Sequence, residues 1–258
     1  MSLSRCSIGL ITIATAILCA QQTAPSVDTA AEHCRIIRRR AEWNAKLLAG
    51  NPQEAQRITD RAKPVLDACV AFQAEPNAQT AAGVISAMGD YNPQTLPPKQ
   101  RLAKLETQAS GASGSQLFYQ LARLAKAAFD AGDLVKARSY ADQLLALAPQ
   151  YPKDWNYGNA IYYGHMVLGR VELAQGNTVL AENHLLQSAQ TPGSPQLNSF
   201  GPNTSLAKDL LERGDTAPVL QYFALIQNFW KMSRGKPAEW AAQVQSGQLP
   251  DFGANLLY

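Results

Sequence analysis

The sequence predicts an all-α chain: a stack of αα-hairpin repeats preceded by an N-terminal helical hairpin. Three observations carry that expectation. Apolar residues return every three or four positions through long segments, which is the period of one helix face. Gly, Asn and Pro fall where helices stop and start. A glycine-centred pattern recurs three times in the C-terminal half.

Residues 1–20 read as a secretory signal peptide: Arg5 beside the amino terminus, then an uncharged apolar run from Cys6 to Ala20, then Gln21-Gln22-Thr23. The run stops short of the ~20 consecutive apolar residues that a membrane-spanning helix needs. We therefore expect an exported protein, periplasmic or secreted. Cleavage after Ala20 sets an alanine at the cut but Leu18, a large residue, two positions before it. Cys19 raises a lipoprotein alternative, which the preceding Ala16-Ile17-Leu18 fits poorly; membrane contact is expected only if the chain is lipidated at Cys19.

Lys and Arg number 23 against 20 Asp and Glu, a net charge of +3 that falls to +2 without Arg5. So small a charge does not point to nucleic acid, which calls for a strong basic field. Once Cys6 and Cys19 leave with the signal, only Cys34 and Cys69 remain. In an oxidising compartment two cysteines allow one intramolecular bridge.

Residues 21–110 read as a helical hairpin and a connector. Thr29-Ala-Ala-Glu32 has the capping-box form and predicts a helix from there to Ala49. Its buried face would be Cys34, Ile37, Ala41, Ala45 and Leu48, with Arg35, Arg38, Arg39, Glu42 and Lys46 pointing elsewhere. The run Arg38-Arg39-Arg40 reads as a solvated face, with contact to acidic lipid or a partner as the other reading. Gly50-Asn51-Pro52 ends this helix and caps the next, whose apolar face is Ala55, Ile58, Ala62, Val65, Cys69 and Phe72 and which Pro64 should kink or split. Cys34 and Cys69 then lie nearly equally far from the bend, with a mismatch of about 3 Å along the axis. The hairpin geometry predicts a Cys34–Cys69 disulfide; the plainer alternative is a pair of buried thiols. Four prolines, Pro76, Pro93, Pro97 and Pro98, and the Ser110–Gly114 cluster mark residues 75–114 as connector around two short helical patterns.

Residues 111–235 carry the repeat. Gly132, Gly176 and Gly214 stand 44 and 38 residues apart, and each is followed by Asp133, Asn177 or Asp215. A large–small pair precedes each glycine (Leu124-Ala125, Leu168-Gly169, Leu206-Ala207). Five residues after it come Ala137, Ala181 and Val219, and nine after come Ala141, Leu185 and Phe223. This is a helix, a tight turn and a second helix, with small residues where two backbones approach closely.

At these residues the chain resembles the tetratricopeptide repeat family, most closely from Leu124 to Pro149, where the small residue, the glycine, the alanine and the closing proline fall at the family's spacing. The resemblance spans residues 115–235 and implies a short tetratricopeptide-like solenoid. It departs from the family in its longer period and in Pro218, early in the third repeat's second helix; Tyr151–Asp154 and Thr191–Pro202 would absorb the extra length. A single helix pair cannot bury its apolar side, so the stack needs caps. The N-terminal helices and the Pro237–Ser246 segment are the candidates. Residues 236–258 thus form a capping helix and a tail, and the apolar tail from Leu249 onward should dock back on the stack.

The resemblance implies a concave groove lined by the first helix of each pair. The residue six before each turn glycine is basic: Lys126, Arg170 and Lys208. With Tyr119, Phe129, Tyr163 and Met166 these form a candidate stripe for an extended peptide carrying acidic residues or a free carboxylate. One exposed position per helix is often Lys or Arg, so three in register is also not rare as a plain surface feature.

His165 and His184 flank Gly176 with Glu172 nearby, which would suit zinc, although histidines on packed helices are more often core-edge residues. No zinc-protease motif, phosphate-binding glycine loop or nucleophile elbow occurs in the sequence. We assign no catalytic residue, no metal and no cofactor. The irregular Thr191–Asn203 segment reads either as a rigid recognition loop or as chain routed over a helix end. The expectation is a non-enzymatic scaffold that binds a protein or peptide. The alternative is an auxiliary subunit or enzyme with a pocket between the repeat stack and the N-terminal hairpin.

Overall fold

A computed structural model describes residues 26–256. The expected signal peptide, its cleavage site and Cys19 lie outside the described residues, as do the last two residues of the tail. Among the described residues all regular structure is helical. The chain forms two compact units that divide between Tyr91 and Asn92.

In the first unit three helices pack on one another: α1 (Val27–Leu47), α2 (Pro52–Ala74) and α3 (Ala78–Tyr91). Helix α1 begins earlier than the capping box at Thr29 suggested. Ser26 is the N-cap, its Oγ accepting from the Thr29 amide at 3.0 Å, and the Thr29 hydroxyl bonds to Ser26 instead of capping the helix itself. The bend into α2 matches its sequence signal: Asn51 Oδ1 accepts from the Glu54 amide at 3.2 Å, and Pro52 takes the first turn, where its missing donor costs nothing. Helix α2 runs without a break through Pro64.

Cys34 and Cys69 are both buried and joined in a disulfide, with Cα atoms 5.5 Å apart. Around the bridge lie Ile37, Ala62, Val65 and Phe72, joined by Ala81, Val84 and Met88 of α3. Ala45, expected on the buried face, is exposed.

The sequence reading grouped residues 21–110 as hairpin plus connector. The structure divides that stretch instead: α3 completes the first unit, α4 (Pro98–Ala109) belongs to the second, and only residues 92–97 lie between the two helices. Ala81, Val84, Ile85 and Met88 recur at helical spacing and bury one face of α3. Asn77 Oδ1 starts that helix by accepting from the Thr80 amide at 3.0 Å. The prolines that suggested a connector mark the ends of these helices rather than their absence.

The second unit is a stack of helix pairs. α5 (Gly114–Asp130) pairs with α6 (Leu134–Leu147), α7 (Tyr157–Ala174) with α8 (Thr178–Ala189), and the short α10 (Ser205–Leu211) with α11 (Thr216–Ile226). A five-residue helix, α9 (Pro195–Ser199), lies between the second and third pairs. The first helices neighbour one another, α5 on α7 and α7 on α10, and α8 packs on α11. Helix α4 covers α5 at one end, and α12 (Lys236–Gln245) covers α11 at the other.

All three turns have one geometry. Gly132, Gly176 and Gly214 take φ of 79°, 86° and 92°, a left-handed conformation that favours glycine. In each turn the next residue's amide reaches back five residues (Asp133 to Ala128 O, Asn177 to Glu172 O, Asp215 to Leu210 O), and the glycine amide reaches back three. This is the Schellman closure, which satisfies the carbonyls left open at a helix end.

The repeat positions five and nine residues beyond each glycine are all buried. The small residue of the large–small pair is needed most at Gly169, where an added Cβ would lie 2.3 Å from Leu206 Cδ2 and 3.1 Å from His184 Cβ. Pro218 falls within the first turn of α11, where no intrahelical donor is lost. The tail docks as expected: Phe252 is buried against Trp240 and Phe223 with ring centroids 5.0 and 6.1 Å away. Asn255 Nδ2 donates to the carbonyls of Phe200 and Pro202 at 3.2 and 2.9 Å, tying the tail to the 191–204 segment.

A candidate ligand cleft on the first helices

Two adjoining cavities open in the second unit, and both use residues of α5 and α7. The larger holds about 560 Å³ and the smaller about 200 Å³. Gln94, Arg123 and Lys126 line both, so the two form one cleft with Lys126 at the junction.

The larger cavity is aromatic. Tyr119 and Trp155 stack with centroids 5.7 Å apart, and Tyr163 and Phe200 contribute further rings. Tyr119, Trp155 and Phe200 are 38%, 51% and 60% exposed, so three of the large apolar side chains left open on this unit gather at one cavity. The Tyr119 hydroxyl donates to Asp154 Oδ2 at 2.5 Å, and that bond to a carboxylate raises the phenol's pKa.

Amides form the far wall. Asn159, almost fully buried, donates from Nδ2 to Asn156 Oδ1 at 3.0 Å and to Gln196 Oε1 at 2.6 Å, while Ser194 Oγ donates to Asn159 Oδ1 at 2.6 Å. These bonds fix α9 against α7. The 191–203 segment, with its short helix, therefore supplies Gln196, Phe200 and Gly201 to the wall of the larger cavity and Asn203 to the smaller. Asn203 is itself held: its carbonyl accepts from Tyr162 OH at 2.6 Å, and Tyr222 OH in turn bonds to Tyr162 at 2.7 Å, in the buried core. Burial pushes both phenols up, Tyr162 well above the ordinary tyrosine value.

The smaller cavity is cationic. Arg101, Arg123, Lys126 and Arg170 line it, with Asp130 as the one carboxylate among the described residues of its wall. Arg170 Nε bonds to Asp209 Oδ2 at 2.8 Å, and its guanidinium carbon lies 4.2 Å from the Phe129 ring centroid. Arg101 reaches Gln94 Oε1 at 2.7 Å and Asp130 at 3.6 Å, but its buried Nε has no hydrogen-bond partner among the described residues. Lys126 makes no ion pair among the described residues; its Nζ sits 5.2 Å from the Tyr163 ring centroid. Burial lowers the Lys126 pKa to about 8, with Asp130 opposing the shift and the positive Arg101 and Arg170 adding to it.

Of the residues singled out in the sequence, Tyr119, Lys126, Phe129, Tyr163, Met166 and Arg170 all line this cleft. Lys208 does not line either cavity; it pairs with Glu212 one turn along its own helix. Arg101, Arg123 and Trp155 had not been singled out, while Gln196 and Phe200 belong to the Thr191–Asn203 segment read either as a recognition loop or as routed chain. Arg123 precedes Lys126 by one helical turn and was within reach of the same stripe argument. Arg101 gave no such signal, because the segment that carries it read as connector.

His165 and His184 do approach, with Nδ1 atoms 3.0 Å apart. Glu172 is occupied elsewhere, by Arg138 at 2.6 Å and Asn177 at 2.7 Å. No group of three or more metal-ligating side chains is arranged for an ion among the described residues, and no helix among them is long and apolar enough to cross a membrane.

The fold and the cleft together define a class: an all-helical repeat stack with a basic and aromatic cleft on its first helices. No family model, curated protein or solved structure matches the chain.

Proposed function

We propose that this chain is an exported scaffold of the tetratricopeptide type that binds a peptide or protein segment in the cleft along α5 and α7. The observation that carries the reading is the convergence of Tyr119, Trp155, Tyr163 and Lys126 on one open cavity of about 560 Å³. That volume falls within the range of ligand-binding clefts, and exposed aromatic rings beside unpaired cations are typical anchors of binding surfaces. The turn geometry shared by the three helix pairs supports the repeat reading. The Cys34–Cys69 bridge is compatible with an oxidising compartment. Together with the apolar run before Gln21 it supports export to the periplasm or beyond, with membrane attachment only through lipid on Cys19.

Selection from a displayed peptide library tests the binding reading, with residues 21–258 run beside the K126E/R170E variant. Wild-type protein is expected to enrich sequences with Asp or Glu near an aromatic residue, and the variant to lose them. Enrichment of the same sequences by both proteins, or of none by either, would contradict it.

A further inference from the structure

The geometry points to an oxyanion subsite in the smaller cavity, built by Arg101, Arg123, Lys126 and Arg170, for a ligand that bears a carboxylate or phosphate group on an aromatic or apolar body. The inference rests on the cleft reading above only in seating that body in the adjoining larger cavity.

The charge balance is the first argument. Four cations face the cavity, and among the described residues two carboxylates answer them: Asp130, which Arg101 meets only at 3.6 Å, and Asp209, which holds Arg170. Arg123 and Lys126 are left without a counter-ion among the described residues. Like charges confined around so small a space repel, and a bound anion would relieve that repulsion with charge-assisted hydrogen bonds.

Donor geometry is the second argument. Arg101 is largely buried, with side-chain exposure of 15%, and its Nε has no partner among the described residues. A buried donor left unsatisfied is costly, so its presence in the wall of a cavity marks a place where a ligand acceptor would be favoured. Asn203 and Ser205 add neutral polar groups to the same wall. Guanidinium groups suit planar carboxylates and phosphates because their N–H donors form a fork.

The join between the cavities is the third. Lys126 and Arg123 line both spaces, so a group among the cations is continuous with a ring packed between Tyr119, Trp155 and Tyr163. Burial, with Arg101 and Arg170 adding to it against Asp130, depresses the Lys126 pKa, and a bound anion should raise it.

Isothermal titration at fixed ionic strength, with chloride as the balancing anion, tests this on residues 21–258. The probes are phenyl phosphate, phenylacetate and the neutral benzyl alcohol. At least one anionic probe is expected to bind tenfold or more tighter than benzyl alcohol, and the tighter of the two names the headgroup. The R101Q/R123Q variant is expected to cut anion affinity by roughly tenfold or more while leaving benzyl alcohol unchanged.

R123Q alone serves where the double variant fails to fold, since Arg123 is exposed; a severalfold loss is expected from it. Equal affinity for charged and neutral probes, or full anion affinity in the folded variant, would overturn the subsite. Peptide binding that survives R101Q/R123Q would remove the subsite and leave the peptide reading intact. Probe binding without peptide binding would support the subsite and remove the peptide reading.

Discussion

Two partly buried imidazoles in contact make this fold sensitive to acid. Burial lowers the pKa of His165 to about 4, the adjacent His184 adding to the effect, and burial also lowers His184. Around the pair stand Glu172 and Asp142, which favour protonation of His184, and Arg138, which opposes it. The unfolded chain, with histidine near 6.5, takes up protons that the folded chain refuses. Stability is therefore fully present above about pH 6.5 and is lost as pH falls toward 4. Urea midpoints at pH 7 and pH 4.5 should differ more for the native protein than for H165Q/H184Q; equal drops would contradict the assignment. The histidines illustrate what residue spacing conveys. Their approach across one helix pair was legible from their positions around Gly176, but the partners of Glu172 were not, because Arg138 comes from the preceding pair. The same limit applies to the cleft: Lys126 and Arg170 followed from repeat register, whereas Arg101 enters it from a segment before the repeat and Trp155 from the link between two helix pairs.

At the scale of single elements, the hairpin of α1 and α2 has its bridge across a sequence separation of 35 residues. Closing a loop of that length restricts the unfolded chain by roughly 3–4 kcal/mol in the chain-entropy account. Replacing the bridge with C34A/C69A should lower the stability of the first unit by about that much. Hydrogen exchange should then show α1, α2 and α3 losing protection while α7 and α8 keep theirs. Unchanged protection in α1 and α2 would contradict the staple. The hairpin, the cap at its bend and its bridge were readable because each rests on local signals: Asn51-Pro52 at the bend and cysteines equidistant from it. Helix α3 was harder to read, since its short apolar face lies between Pro76 and Pro93, and proline at a helix boundary looks much like proline in a loop. The three glycine turns were the clearest signal in the chain because a left-handed residue at a Schellman closure admits few substitutes.

Across the whole molecule, the second unit carries both the repeat and every described residue of the cleft. Helix order and the stack of pairs followed from periodicity and turns, while the boundary at Tyr91 depends on which partner each short helix finds, a tertiary choice that periodicity does not encode. The docking of the tail was legible from its apolar composition; its grip on the 191–204 segment through Asn255 was not. That grip bears on the proposed binding, because it steadies the wall holding Phe200 and Asn203 beside α7. The central claim is that a ligand enters between α5, α7 and this wall. The most direct measurement is hydrogen exchange on residues 21–258 with and without a saturating acidic, aromatic peptide taken from the library selection. Slowed exchange confined to residues around Tyr119–Lys126, Trp155–Tyr163 and Gln196–Asn203 is the predicted result. Slowing confined instead to α6, α8 and α11, with those segments unchanged, would contradict the account.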